Sequence, residues 1–202
     1  MSGRVAEIHD RLAAEFPGAI ALLSNPGPSG QDSLLIERAA LVGAAGFLRD
    51  SLGFDMLTNL SGVDWPDAAL ADKVCVPVAA ETDGEGEKPE VPGFLEVVYH
   101  IESTKDRGGV VTLRSRTGNR AEDCSIPSLV SVWRSAEFQE REAYDLYGIQ
   151  FTGHPDLRRI LMWDEFTDHP MRKDYVAPDD YEYEPTPHDE VLEKAKKHYP
   201  AD

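Results

Sequence analysis

Apolar residues recur at helical spacing from the start of the chain: Val5, Ile8, Leu12 and Phe16 share one face, and Pro17-Gly18 ends the run. The short apolar stretch Ala19 to Leu23 reads as a strand that stops at the turn-forming Asn25-Pro26-Gly27-Pro28. Ser33 to Ile36 is a second strand, and Ala39 to Leu52 a helix closed by Gly53, which makes an α-β-β-α opening. Phe54 to Val63 alternates imperfectly and predicts a strand with a bulge near Gly62. Clearer strands lie at Phe94 to Ile101 and Val110 to Arg116, joined through Gly108-Gly109. In the second of these, Val111, Leu113 and Ser115 alternate with Thr112, Arg114 and Arg116, the pattern of a sheet with one wet face. Ser125-Ile126-Pro127-Ser128 has the hydroxyl and early proline of a helix entry. A helical stretch then runs from Leu129 to about Tyr147, broken near Arg134-Ser135 and stopped by Gly148.

These elements predict an α+β fold: a small, mostly antiparallel sheet flanked by helices, with an extended irregular C-terminal arm. The core spans residues 1–149, interrupted at 65–93 by an insertion rich in proline and acid that contains ETDGEGEKPE. Asp83, Glu85 and Glu87 alternate with glycines there, but a calcium loop of the EF-hand type needs flanking helices and a closing Glu, so a solvated loop is the better reading. Residues 150–202 read as an extended docking segment and acidic tail, with one weak helix at Glu190 to His198. Such a tail has little to bury by itself, so it is either disordered or laid along another protein.

Charge changes the picture more than composition does. In 202 residues, 20 Lys and Arg face 37 Asp and Glu, a formal net charge of −17, which argues against gripping nucleic acid or anionic lipid. Hydrophobic content of 41% is ordinary, so the acidity is added to a core and does not replace one. Two cysteines, Cys75 and Cys124, supply neither a disulfide framework nor a four-thiolate cluster. No run approaches the roughly 18 apolar residues of a membrane span, and the first residues lack the apolar core of a secretory signal. A cytoplasmic protein is expected, carried to a membrane only by a partner.

The densest chemistry lies between Glu140 and Tyr175. On a helix Arg141 and Asp145 sit at i,i+4 and can pair, while Glu140, Tyr144 and Tyr147 share another face; a solvated helix face explains the same spacing. His154-Pro155 and His169-Pro170 are each followed by cations, Arg158-Arg159 and Arg172-Lys173. These suit an acidic partner or an anion, or else internal pairing with Asp156, Asp164, Glu165, Asp168 and Asp174. A metal site from His154, His169 and His188 has poor spacing, and no nucleophile elbow, phosphate loop or dinucleotide fingerprint occurs. The residues point to an interaction protein.

The run Glu140-Arg141-Glu142, Tyr144-Asp145-Leu146-Tyr147-Gly148-Ile149, Phe151, Gly153-His154-Pro155, Leu157, Arg159-Ile160-Leu161 and His169-Pro170-Met171-Arg172-Lys173-Asp174-Tyr175 resembles the C subunit of proton-pumping NADH:quinone oxidoreductase, respiratory complex I, whose mitochondrial counterpart is the thirty-kilodalton subunit. Leu57 to Asp64 and Phe94 to Tyr99 are similar to strands of the same family. Departures are the acidic insertion where the family has a short turn, Arg134-Ser135 in place of a common proline, and Met171 for the commoner leucine. The resemblance implies a hydrophilic-arm subunit without a cofactor of its own, with flavin, iron–sulfur clusters and quinone in partner subunits. It implies docking on the large quinone-site subunit, D, near the B and I subunits, and a peripheral place on the cytoplasmic side of the bacterial inner membrane. The docking residues expected on this basis are Glu140, Arg141, Glu142, Tyr144, Asp145, Tyr147, His154, Arg158, Arg159, His169, Arg172, Lys173, Asp174 and Tyr175. The alternative is the equivalent subunit of a membrane-bound nickel–iron hydrogenase or formate hydrogenlyase. A free-standing enzyme ranks below both.

Overall fold

Helix α1 (Ser2–Glu15) buries Val5, Ile8 and Leu12, the residues whose spacing predicts it. The chain then forms β1 (Ile20–Leu23), β2 (Ser33–Ile36), a single 3-10 turn at Arg38–Ala40 and α2 (Leu41–Asp50). Strands β3 (Met56–Trp65), β4 (Phe94–Glu102) and β5 (Val111–Arg116) follow, then β6 (Ser125–Pro127), α3 (Ala136–Tyr147) and β7 (Gln150–Thr152). The computed structural model describes residues 2–25, 30–67, 92–106 and 108–176. Most of the acidic insertion, the turn expected at Pro26-Gly27-Pro28, Cys75, His188 and the tail with the helix expected at Glu190 to His198 lie outside the described residues.

The five-stranded sheet has the order β1-β2-β5-β4-β3, antiparallel throughout except for the parallel pair β2–β5. A parallel neighbour needs a long crossover, and here α2 with the β3–β4 hairpin provides it. All that this sheet gives to the core cluster comes from one face, including Leu34, Leu60, Val97, Tyr99, Ile101 and Leu113, and α1, α2 and α3 all contribute to that cluster. The other face is less wet than the β5 alternation predicts: Arg114 and Arg116 lie over it, and Glu96 between them is fully buried.

Two local expectations are corrected. The bulge falls between Leu57 and Asn59, not at Gly62, because the Thr58 hydroxyl donates to the His100 carbonyl at 2.9 Å. Gly62 is needed for a different reason. A Cβ there would sit 2.5 Å from Tyr147 Cδ2, so only glycine lets α3 lie this close to β3. Ser125 to Ser128 is no helix entry. Ser125–Pro127 forms a parallel pair with β7, burying Ile126 and Phe151, and the Ser128 hydroxyl donates to a carboxylate instead of capping a helix. The helix begins only at Ala136 because the preceding turn is tied to β3 and its approach: Trp133 Nε1 donates to Phe54 O at 3.0 Å and Ser135 Oγ to Leu57 O at 2.9 Å. Gln139 Oε1 accepts the Leu60 N–H at 2.6 Å, so α3 also occupies a backbone donor that the end of the sheet would leave open.

Candidate functional site

Gly148, at φ 76°, ends α3 in the left-handed conformation and turns the chain back, so that residues 154–175 return over the helix. What holds this arm is a fully buried carboxylate on the last turn of α3. Asp145 Oδ1 accepts from Arg159 Nη1 at 2.6 Å, and its Oδ2 accepts the backbone N–H groups of Ile160, Leu161 and Met162 at 3.0, 2.7 and 2.9 Å. Its carbonyl accepts from Arg159 at 3.1 Å and from His169 Nδ1 at 3.0 Å. Burial alone would raise the Asp145 pKa, but the three backbone donors and Arg159 outweigh it and hold the group below the ordinary carboxylate range.

The expected Arg141–Asp145 pair does not form. Arg141 instead donates to the carbonyls of Arg158 and Arg159 at 3.1 and 3.0 Å, while Asp145 takes the guanidinium of Arg159 from the returning arm. A second tether comes from the sheet. Buried Asp64 on β3 accepts a two-pronged contact from Arg120 at 2.6 and 2.7 Å and the Lys173 N–H at 2.7 Å, and Arg120 also reaches Asp174 at 2.9 Å. Arg172 Nε donates to Tyr147 O at 2.7 Å. Between the tethers the arm has its own small core, in which Phe166 is 8% exposed, with Trp163 and Tyr175 at ring distances of 4.8 and 6.3 Å and the Arg159 guanidinium over its face.

Glu140 is the other buried acid of α3. Its two oxygens accept from Ser128 Oγ at 2.6 Å and Leu129 N at 2.7 Å, and no cation among the described residues is bonded to it. Burial outweighs these bonds and raises its pKa from 4.5 to about 7. Between those values the folded chain binds a proton that the unfolded chain does not, so this group's contribution is fully present at low pH and is lost as pH rises through about 7. Glu140→Gln keeps an acceptor for Leu129 but cannot ionise. Denaturant melts at about pH 5 and about pH 8 should show the wild-type chain losing up to about 3 kcal/mol relative to the variant. Parallel pH profiles for the two proteins would refute this.

Both histidines serve the packing of the arm. His154 Nδ1 accepts the Asp156 N–H at 3.0 Å, which leaves the Nε2 proton for Glu137 O at 2.9 Å. His169 donates to Asp145 O and packs so tightly on the turn that a Cβ at Gly148 would lie 2.5 Å from its Nε2. Burial, with the cations Arg172 and Arg159, holds His169 below its ordinary pKa although the Asp145 carbonyl favours its proton. No group of three potential metal ligands occurs among the described residues.

The predicted docking residues therefore divide. Glu140, Arg141 and Asp145 are 0%, 5% and 0% exposed and organise the surface from within, and Arg159 is committed to Asp145. Glu142, Arg158, Lys173 and Asp174 are exposed. Tyr144, Tyr147, His154, His169, Arg172 and Tyr175 are half-buried. What sequence reasoning missed is apolar: Phe138 is 60% exposed, Ile160 38%, Leu161 57% and Met171 51%. Arg141 links the first three, since its guanidinium lies over the Phe138 ring and bonds the carbonyls just before Ile160. Acids and arginine inside with large apolar groups outside reverse the usual order, a pattern that suits an interaction surface.

Residues 34–181 match the family model of the respiratory-chain NADH dehydrogenase 30 kDa subunit. The chain belongs to this family. Among relatives, the C subunit of the Geobacter sulfurreducens NADH-quinone oxidoreductase is 38% identical over 148 residues, covering 72% of this chain and 75% of its own length. The C subunit from a Roseiflexus species is 36% identical over 171 residues, covering 84% and 82%. The C/D subunit of the Bacteroides fragilis NADH-quinone oxidoreductase is 42% identical over 139 residues; the match takes in 69% of this chain and only 23% of that longer protein. Of the solved structures, a trypsin-resistant fragment of Nqo5 aligns with 26% identity and a TM-score of 0.50, covering 76% of this chain and 99% of the fragment. A chain of an archaeal membrane-bound sulfane sulfur reductase shares the fold, with a TM-score of 0.61 at 18% identity, covering 98% and 92%. The 30 kDa family match thus takes in the arm and its buried scaffold. No helix among the described residues is long and apolar enough to cross a membrane.

Proposed function

We propose that this chain is a non-catalytic subunit of the hydrophilic arm of NADH:quinone oxidoreductase. In this role it holds the quinone-reducing module together while electrons pass from NADH to quinone, coupled to proton translocation. Flavin, iron–sulfur clusters and quinone reside in partner subunits. The chain docks on the D subunit with B and I nearby, peripheral to the membrane on the cytoplasmic side. The observation that carries this reading is the buried Asp145 scaffold, which fixes the 160–162 loop and leaves Ile160 and Leu161 exposed near Phe138, to which Arg141 links them. The D subunit as the neighbour draws support from the Bacteroides relatives, whose names join C and D in one protein. The C-subunit relatives favour this assembly over the hydrogenase or formate hydrogenlyase alternative.

Apolar anchors carry this docking and the exposed charges of Glu142, Arg158 and Lys173 form its rim. Phe138→Asp or Leu161→Asp is expected to weaken retention of the D subunit about tenfold or more, because each places a charge in a desolvated contact. The isolated variants should melt with the wild type, since both side chains are exposed. Co-purification of the D subunit at wild-type yield with both variants would overturn the reading.

A further inference from the structure

The sheet has a second face that the docking arm does not use. The core cluster draws on one face of the sheet only, and Val98, on the other, is 8% exposed yet stands outside that cluster. Register places Trp65, Phe94, Glu96, Arg114 and Arg116 together on this outer face. Glu96 is fully buried beneath its neighbours: Trp65 Nε1 donates to it at 3.1 Å, Arg114 Nη1 at 2.8 Å and Arg116 Nε at 2.8 Å. Arg114 also donates to Ser33 Oγ at 3.0 Å, and the Arg116 guanidinium lies 4.7 Å from the centre of the Phe94 ring.

Two guanidiniums thus share one carboxylate, in a chain whose net charge is −17. The Arg116 side chain is 35% exposed and bonds Glu96 through Nε, and among the described residues no acceptor is bonded to its two terminal nitrogens. Beside it lies an open cleft of about 390 Å³, with Leu35 to Ala39 on one side and Arg116 to Thr117 on the other. Within that wall Arg38 is occupied by Asp123, and Glu37 stands exposed at the rim. Fixed arginines beside tryptophan and phenylalanine, next to an apolar recess, are the composition of a protein contact. A carboxylate is the acceptor that fits a planar guanidinium edge.

We infer that this outer face is a second docking surface, distinct from the C-terminal arm, for an extended acidic segment of a neighbouring subunit. One carboxylate of that segment meets the terminal nitrogens of Arg116 and an adjacent apolar side chain enters the cleft beside Leu35. The inference rests on the reading of this chain as a subunit of a larger assembly.

The test uses the intact complex, with a photo-crosslinking amino acid placed at Leu35 and, separately, at Leu161. Capture of another subunit from Leu35, through a peptide with an excess of Asp and Glu, is the expected result. Capture only of residues 68–91 of the same chain, capture through a basic or uncharged peptide, or no capture while Leu161 does capture a neighbour would each overturn the proposal. Failure at both positions would instead count against the subunit reading on which it rests. As an independent readout, Leu35→Ala empties the wall of the cleft without placing a carboxylate opposite Arg114, and should release the chain about tenfold more readily in salt washes. Release at the wild-type rate would also overturn it.

Discussion

Asp145→Ala should detach the arm from α3 and abolish incorporation of the chain into its complex. The substitution removes the one carboxylate that serves Arg159 and three consecutive backbone N–H groups. Arg159, with its side chain 11% exposed, would be left as a nearly buried cation without its carboxylate. Breaking one side of such a pair costs about 3–5 kcal/mol, a large part of a small domain's total stability. Asp145→Asn tests the charge separately: one oxygen can still accept from the loop, but the amide cannot accept from both the loop and Arg159. Limited proteolysis of residues 154–176 and denaturant melts of the full chain would report the effect. A loss below about 1 kcal/mol for Asp145→Ala would show that the arm is held by its apolar contacts alone.

Asp64→Ala should release the same arm from its other end. Arg120, with its side chain 14% exposed, loses a two-pronged partner that stands fully buried, and the Lys173 N–H loses its acceptor. A destabilisation of about 3 kcal/mol is expected, with faster tryptic cleavage at Arg172 and Lys173. The sign of a second substitution makes the prediction specific. Arg120→Met in the Asp64→Ala background removes the stranded cation and should recover more than about 1 kcal/mol, although it deletes a further interaction. Additive losses in the double variant would show that the two residues do not act as a pair.

The two tethers explain why the arm is harder to read from sequence than the sheet. Leu57, Leu60, Leu95, Val97, Ile101 and Leu113 lie on the core face, and their alternation is legible because side chains on a strand change face at every residue. The α1 face is legible for the corresponding reason at helical spacing. Ser125 to Ser128 misleads because a hydroxyl and a proline suit either a helix entry or a short strand. What decides between them is Phe151, which arrives some 25 residues later to pair with Ile126.

The docking candidates show the same limit. The segment Glu140 to Tyr175 is the informative one, and its resemblance to the 30 kDa subunit is matched by the family model. Within it, the charges take roles that their spacing does not suggest. Arg141 and Asp145 at i,i+4 satisfy a rule for exposed helices, but a carboxylate that becomes fully buried takes the densest available set of donors, here an arginine and three backbone groups from the returning arm. Asp64 offers one signal in advance: its parity on β3 faces the core, and a core-facing acid requires a partner.

Local pattern in the chain therefore settles the α+β class, the main strands of the sheet, the faces that form the core and the family. Each follows from periodicity or from an ordered motif, and neither depends on the path of the chain between elements. It takes the folded chain to put Glu140, Arg141 and Asp145 inside while Phe138, Ile160 and Leu161 lie outside, and to tie the arm to the sheet through Asp64 and Arg120. The contacts of Asp145 and Asp64 with the arm join residues 14 to 109 positions apart. Their partners are chosen by which donors reach a desolvated carboxylate once the chain has turned at Gly148, and no spacing along the chain encodes that geometry.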